Sequence, residues 1–128
     1  VSISANTCLV GAPNYTVPGN VSAYGGVAFI YKKEGSNWAL QEHINGDDEN
    51  ARIGYSVALD GEDCYIGSPY WNTHKGRLII YKNSMRYVYN VDQDIMSDFG
   101  TAGGAHNGQF VVGAPAQAGP TVNFGTNN

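Results

Sequence analysis

The stretch Val57-Ala58-Leu59-Asp60-Gly61-Glu62-Asp63-Cys64-Tyr65-Ile66-Gly67-Ser68-Pro69 decides the fold, because the chain contains it more than once. It aligns without gaps on Val1-Ser2-Ile3-Ser4-Ala5-Asn6-Thr7-Cys8-Leu9-Val10-Gly11-Ala12-Pro13, 56 positions earlier. Its closing residues return as Phe110-Val111-Val112-Gly113-Ala114-Pro115, another 46 positions on. Two further markers keep the same order around it. Downstream, Gly26-Val27-Ala28-Phe29-Ile30-Tyr31-Lys32 matches Gly76-Arg77-Leu78-Ile79-Ile80-Tyr81-Lys82. Upstream, Ile53-Gly54 matches Phe99-Gly100. Markers that recur in one order at a spacing of about 50 residues identify a repeat architecture.

Each unit reads as short strands. Val57-Ala58-Leu59 is a strand that turns at Asp60-Gly61, a tight-hairpin dipeptide. Cys64-Tyr65-Ile66 is the second strand, closed by Gly67-Ser68-Pro69, where proline removes a ladder donor. Leu78 to Tyr81 is the third, and the fourth lies near Tyr87-Val88-Tyr89, or Trp38 to Ile44 in the first unit. No window sustains a 3.6-residue period. Composition agrees: 17 Gly, 5 Pro and 9 Tyr, with only 14% charged residues, exclude a helical bundle or coiled coil. A hydrophobic share of 42% is enough to build a core, which argues against disorder. The expected fold is all-β, built of antiparallel four-stranded units with the period of propeller blades. The first unit covers about residues 1–46 and the second about 53–91; a half unit covers about 99–115, and 116–128 form a tail.

The Ile-Gly or Phe-Gly opener, the Val-Gly-Ala-Pro signature and the Gly-x-x-x-x-Tyr third strand resemble FG-GAP repeats. These are the blades of the seven-bladed propeller in integrin alpha subunits and related surface proteins. The resemblance implies a β-propeller, of which this chain supplies about two and a half blades in an incomplete ring. A closed propeller takes at least about four. The expectation is therefore a segment of a longer propeller, or one protomer of an assembly that closes the ring. Thr121-Val122-Asn123-Phe124-Gly125 is a candidate third strand for the half unit. The resemblance also implies calcium in some blades, held in an Asp-x-Asp/Asn-x-Asp-Gly loop. The corresponding loops here are Ser4-Ala5-Asn6-Thr7, Asp60-Gly61-Glu62-Asp63 and Ala105-His106-Asn107-Gly108, and none has that spacing. The expected cofactor set is none, with calcium left to blades outside this chain.

Charge narrows the partners. The net charge of -4, with no basic run, does not suit nucleic acid. The longest apolar runs, such as Val27 to Tyr31, fall far short of the roughly 20 residues of a spanning helix, so no membrane insertion is expected. Asn14-Tyr15-Thr16 and Asn20-Val21-Ser22 are glycosylation sequons in one loop, which points to a secreted or cell-surface location. Cys8 and Cys64 occupy one repeat position and read as unpaired small hydrophobes rather than a disulfide.

In a four-strand meander, the loops after the second and fourth strands emerge on one side. That side carries Tyr15, the two sequons, Tyr70-Trp71-Asn72-Thr73-His74 and the acidic connectors, where Asp48 and Asp94 are repeat-equivalent. The ligand-binding candidates are Tyr70, Trp71, His74, Asp48 and Asp94; the glycosylation candidates are Asn14 and Asn20. Tyr70 and Trp71 are read either as contact anchors or as rings packed back over the sheet. The acidic residues are read either as a ligand-binding rim or as solvated linkers. No nucleophile motif, phosphate loop or zinc spacing appears. The leading functional reading is a non-enzymatic extracellular propeller segment that makes protein–protein contacts, in adhesion or in building a surface structure. The alternatives are a lectin-like propeller and the accessory propeller of a larger enzyme.

Overall fold

The computed structural model describes residues 1–16, 18–19, 23–90, 97–115 and 122–126. Alternation and turn chemistry organise them into three antiparallel sheets. The first contains β1 (Ser2–Ile3), β2 (Thr7–Ala12), β3 (Val27–Glu34) and β4 (Asn37–Asn45), paired in chain order. The second contains β5 (Ser56–Asp60), β6 (Asp63–Ser68), β7 (Arg77–Lys82) and β8 (Met85–Asn90), also in order. The third contains β9 (Gly103–His106), β10 (Gln109–Gly113) and β11 (Val122–Thr126). The three sheets do not close into a ring.

One detail differs from the sequence reading. The β5–β6 hairpin turns at Gly61-Glu62, since Asp60 pairs with Asp63 across the ladder. Gly61, at φ 60, takes the first central position, where a two-residue hairpin favours glycine or asparagine. In the third unit, the candidate third strand read in the tail is present, one residue further along, and completes the hairpin of the half unit into a three-stranded sheet. Val122–Thr126 runs antiparallel along β10, with Gly125 opposite Phe110. A side chain at Gly125 would run into the Phe110 ring. The edge of β10 is therefore paired.

Burial explains why β6 shows no polar alternation. Cys64 and Ile66 point into a core shared with Leu9, Ala28, Ile30 and Ile44 of the first sheet. Tyr65 points the other way, into a core shared with Phe110, Val112 and Ala114 of the third unit. The middle sheet is thus covered on both faces, as the continuous burial of residues 64–68 records. Both cysteines are free, and burial pushes the Cys64 thiol up to about 12.

The repeated motifs meet where the sheets join. Parallel bridges pair Gly26 with Ile53 and Gly76 with Phe99. The opener glycines then lie between two sheets. Gly54 donates its N–H to the Gly67 carbonyl at 3.1 Å, and Gly100 to that of Gly113 at 3.0 Å. On the other side, a Cβ on Gly11 would land on the Gly54 carbonyl oxygen, and one on Gly67 on that of Gly100. Opener and signature glycines therefore form one row, Gly11, Gly54, Gly67, Gly100, Gly113, with no room for a side chain at the first four; at Gly113 a Cβ would only touch Ala102.

This row is testable by comparing two glycines of positive φ. Gly54, at φ +87, would place a Cβ 2.6 Å from the Val27 carbonyl oxygen, whereas Gly35, at φ +64, faces open space. Gly54→Ala should lower stability by about 2–4 kcal/mol, and Gly35→Ala by about 1 kcal/mol, in urea denaturation. Equal losses would show that close packing at the row contributes nothing beyond backbone strain.

Candidate functional site

The loop between β6 and β7 begins after the buried Pro69 and must return the chain to Gly76 in six residues. It does so through a single turn at Trp71–His74 in which Asn72, Thr73 and His74 take φ of 49, 57 and 68. A β-branched threonine there is strained. The turn is held by the next connector: Ser97 and Asp98 both donate their N–H to the His74 carbonyl at 2.8 Å. The His74 Nδ1 also meets the Asp98 Oδ1 at 2.7 Å. Its imidazole lies 4.5 Å from the Tyr70 ring, centre to centre.

Each of the two aromatic side chains is clasped by an arginine. The Arg52 guanidinium sits 4.8 Å from the Tyr70 ring centre, and that of Arg77 sits 5.1 Å from the Trp71 ring. Such stacking favours Arg over Lys, because the planar cation covers the ring face. Partial burial and the neighbouring Tyr55 hold the Tyr70 hydroxyl above its ordinary value. Asp48 completes the arrangement by accepting the Asn72 N–H at 3.3 Å. An open cavity of about 620 Å³ lies between this loop and the 48–52 connector, lined by Asp48, Asn50, Arg52, Tyr70, Asn72 and His74 among others.

The structure thus brings Tyr70, His74 and Asp48 together, with Trp71 next to them on the same loop. Both rings are half-buried and packed against neighbours while keeping a solvent edge. Asp94 and Asn20 lie outside the described residues; Asn14 is exposed in a turn of the first unit. Sequence reasoning passed over Arg52 and Arg77, and it read Asp47 and Asp98 only as members of the acidic connectors. Arg52 was within reach, because it directly precedes a repeat opener, the position that Asp98 holds in the next unit. Arg77 was within reach as well, since it replaces Val27 of the first unit at an otherwise apolar position.

Arg77 is the most constrained charge of the group. It is 6% exposed, its Nε has no hydrogen-bond partner among the described residues, and its Nη2 is paired with Asp47. Burial works against ionisation of Asp47, but Arg77 outweighs it and holds the carboxyl below the ordinary value. The arrangement offers both signs of charge, amide groups and fixed aromatic edges, which suits holding a ligand. Among the described residues, no three His, Cys, Asp or Glu converge to hold a metal ion. Nor is any helix there long and apolar enough to cross a membrane.

A carboxylate with a lowered folded-state value adds stability above its unfolded value, and that stability is lost as pH falls through the folded one. Asp47→Asn should therefore cost about 1 kcal/mol at pH 7, a figure discounted because Asp47 is 63% exposed. The cost should shrink as pH falls below the ordinary carboxylate range and vanish once the native carboxyl is protonated as well. Urea midpoints of both proteins across that range measure it, and a pH-independent difference would remove the ion pair as its cause.

No protein-family model matches the chain, and no curated protein compared with it matches either.

Proposed function

We propose that the chain is a segment of an FG-GAP-type β-propeller that works outside the cell as a non-enzymatic contact module. On this reading each sheet is a blade, and the glycine row is the blade-to-blade joint. The geometry of the joint supports it, since the same bridge and the same glycine contact recur at both junctions. The partner is a protein, met through the face that carries Tyr70, Trp71, His74 and Asp48.

One observation carries the functional part: two neighbouring aromatic side chains on one loop are each fixed by an arginine before any partner arrives. Tyr, Trp and Arg dominate the energetics of protein interfaces, and a ring already immobilised loses little entropy on binding. A second reading, recognition of carbohydrate, rests on the polar cavity beside Tyr70, whose volume lies within the range of small-ligand sites.

Fluorescently labelled chain binding to cells, followed by flow cytometry, tests both. Replacing Tyr70 and Trp71 together by Ser should reduce saturable binding at least tenfold, with the melting temperature as a folding control. Tyr87→Ser, on the exposed β8, should leave binding unchanged. Protease treatment of the cells should abolish binding. Loss on glycosidase treatment alone would favour the carbohydrate reading, and indifference to the Tyr70 and Trp71 changes would rule out this face.

A further inference from the structure

The loop between β2 and β3 is the repeat counterpart of the one that carries Tyr70 and Trp71, but it is longer. Twelve residues separate Pro13 from Gly26, where six separate Pro69 from Gly76. The additional length contains both sequons, and the contact face described above uses neither. Asn14-Tyr15-Thr16 lies within the described residues, and its conformation is informative.

Pro13 and Asn14 form the two central positions of a tight turn closed by the Tyr15 N–H on the Ala12 carbonyl, at 3.1 Å. Proline suits the first of these positions and asparagine the second. Asn14, Tyr15 and Thr16 are all exposed, and no hydrogen bond to another described residue holds the Asn14 amide. The backbone beneath them is anchored. The Tyr15 carbonyl accepts the Gly26 N–H at 3.0 Å, the Thr16 hydroxyl oxygen accepts the Tyr24 N–H at 3.1 Å, and the Tyr15 ring meets Phe29 edge-on. The sequon is therefore fixed to the sheet through the Tyr15 carbonyl and ring and the Thr16 hydroxyl, while the exposed Asn14 carries the acceptor amide. A bulky substituent on that amide displaces no packed group.

We infer that Asn14 is the attachment point of an N-linked oligosaccharide. The donor class is a lipid-pyrophosphate-linked oligosaccharide, the substrate of the transferase that reads Asn-x-Ser/Thr. A bond forms between the Asn14 Nδ2 and C1 of the first sugar as the C1–O bond to pyrophosphate breaks. The lipid pyrophosphate leaves with the electron pair, and the amide loses one proton. This inference shares the extracellular setting of the proposed function but needs neither the contact face nor its partner.

The test supplies the secretory route itself: the full chain is secreted from a eukaryotic cell behind a cleavable leader and mapped by peptide mass spectrometry. Its outcome therefore leaves the contact-face reading untouched. The expected result is a hexose-rich mass excess on the peptide that contains Asn14. An amidase that releases N-glycans should remove it and leave aspartate at that position. Asn14→Gln and Thr16→Ala should abolish the excess, Thr16→Ser should retain it, and Asn20→Gln should leave it in place. An unmodified Asn14 in the secreted chain, or an excess confined to Asn20, overturns the inference.

Discussion

Everything in this molecule hangs on the closeness with which its sheets approach one another at the glycine row. Two backbones meet there with no side chain between them, at Gly11 against Gly54 and at Gly67 against Gly100. That contact sets the distance between sheets, and the distance decides which side chains fill the space further along. Branched aliphatic residues such as Ile30, Ile44, Ile53, Ile66 and Ile79 then interlock between the first two sheets. Larger rings, Phe99 and Phe110, take that role between the second and third. Hydroxyls complete the joints: the buried Ser68 caps the Ala51 carbonyl at 2.7 Å, and the half-buried Ser56 caps that of Gly100 at the same distance.

The same joints place the candidate site. Each connector crosses from one sheet to the next just before an opener glycine, so the residues preceding it fall against the β2–β3 or β6–β7 loop. Arg52 and Asp98 occupy that position in successive units and reach the same loop from its two sides, one by stacking on Tyr70 and the other through His74. The loop conformation is strained at Asn72 and Thr73, and strain persists only where surrounding contacts over-determine it. Here those contacts are the two backbone bonds to the His74 carbonyl, the Asp48 carboxylate and the two arginines. A scaffold joint and the candidate binding loop are thus one construction.

Much of the strand order could be read in the amino-acid sequence, because the repeat multiplies every weak local indication. β3 and β7 are marked by Gly-x-x-x-x-Tyr, and the hairpins by glycine or asparagine at positive φ, as at Asn107-Gly108. The exact turn at Gly61 was harder, since Asp60-Gly61 and Gly61-Glu62 are both sound two-residue turns and only the pairing of Asp60 with Asp63 separates them. The site was legible by face but not by contact. Loop geometry brought Tyr70, His74 and Asp48 to one side, whereas the arginines that fix the rings come from a connector and from a strand end. Their role depends on sheet stacking, which no local pattern encodes.

The double coverage of the middle sheet has a consequence for how the chain holds together in time. A sheet with one bare face can fray without its neighbours noticing, but β6 contributes alternate residues to two cores, so loosening it disturbs both. The first and third units are linked through it although they share neither core. Stability in such a linear array is a sum of unit and nearest-neighbour terms, which makes the central unit the one whose opening is most costly. Opening should therefore begin at the outer units and reach the centre last, with β6 as the final ladder to lose its hydrogen bonds.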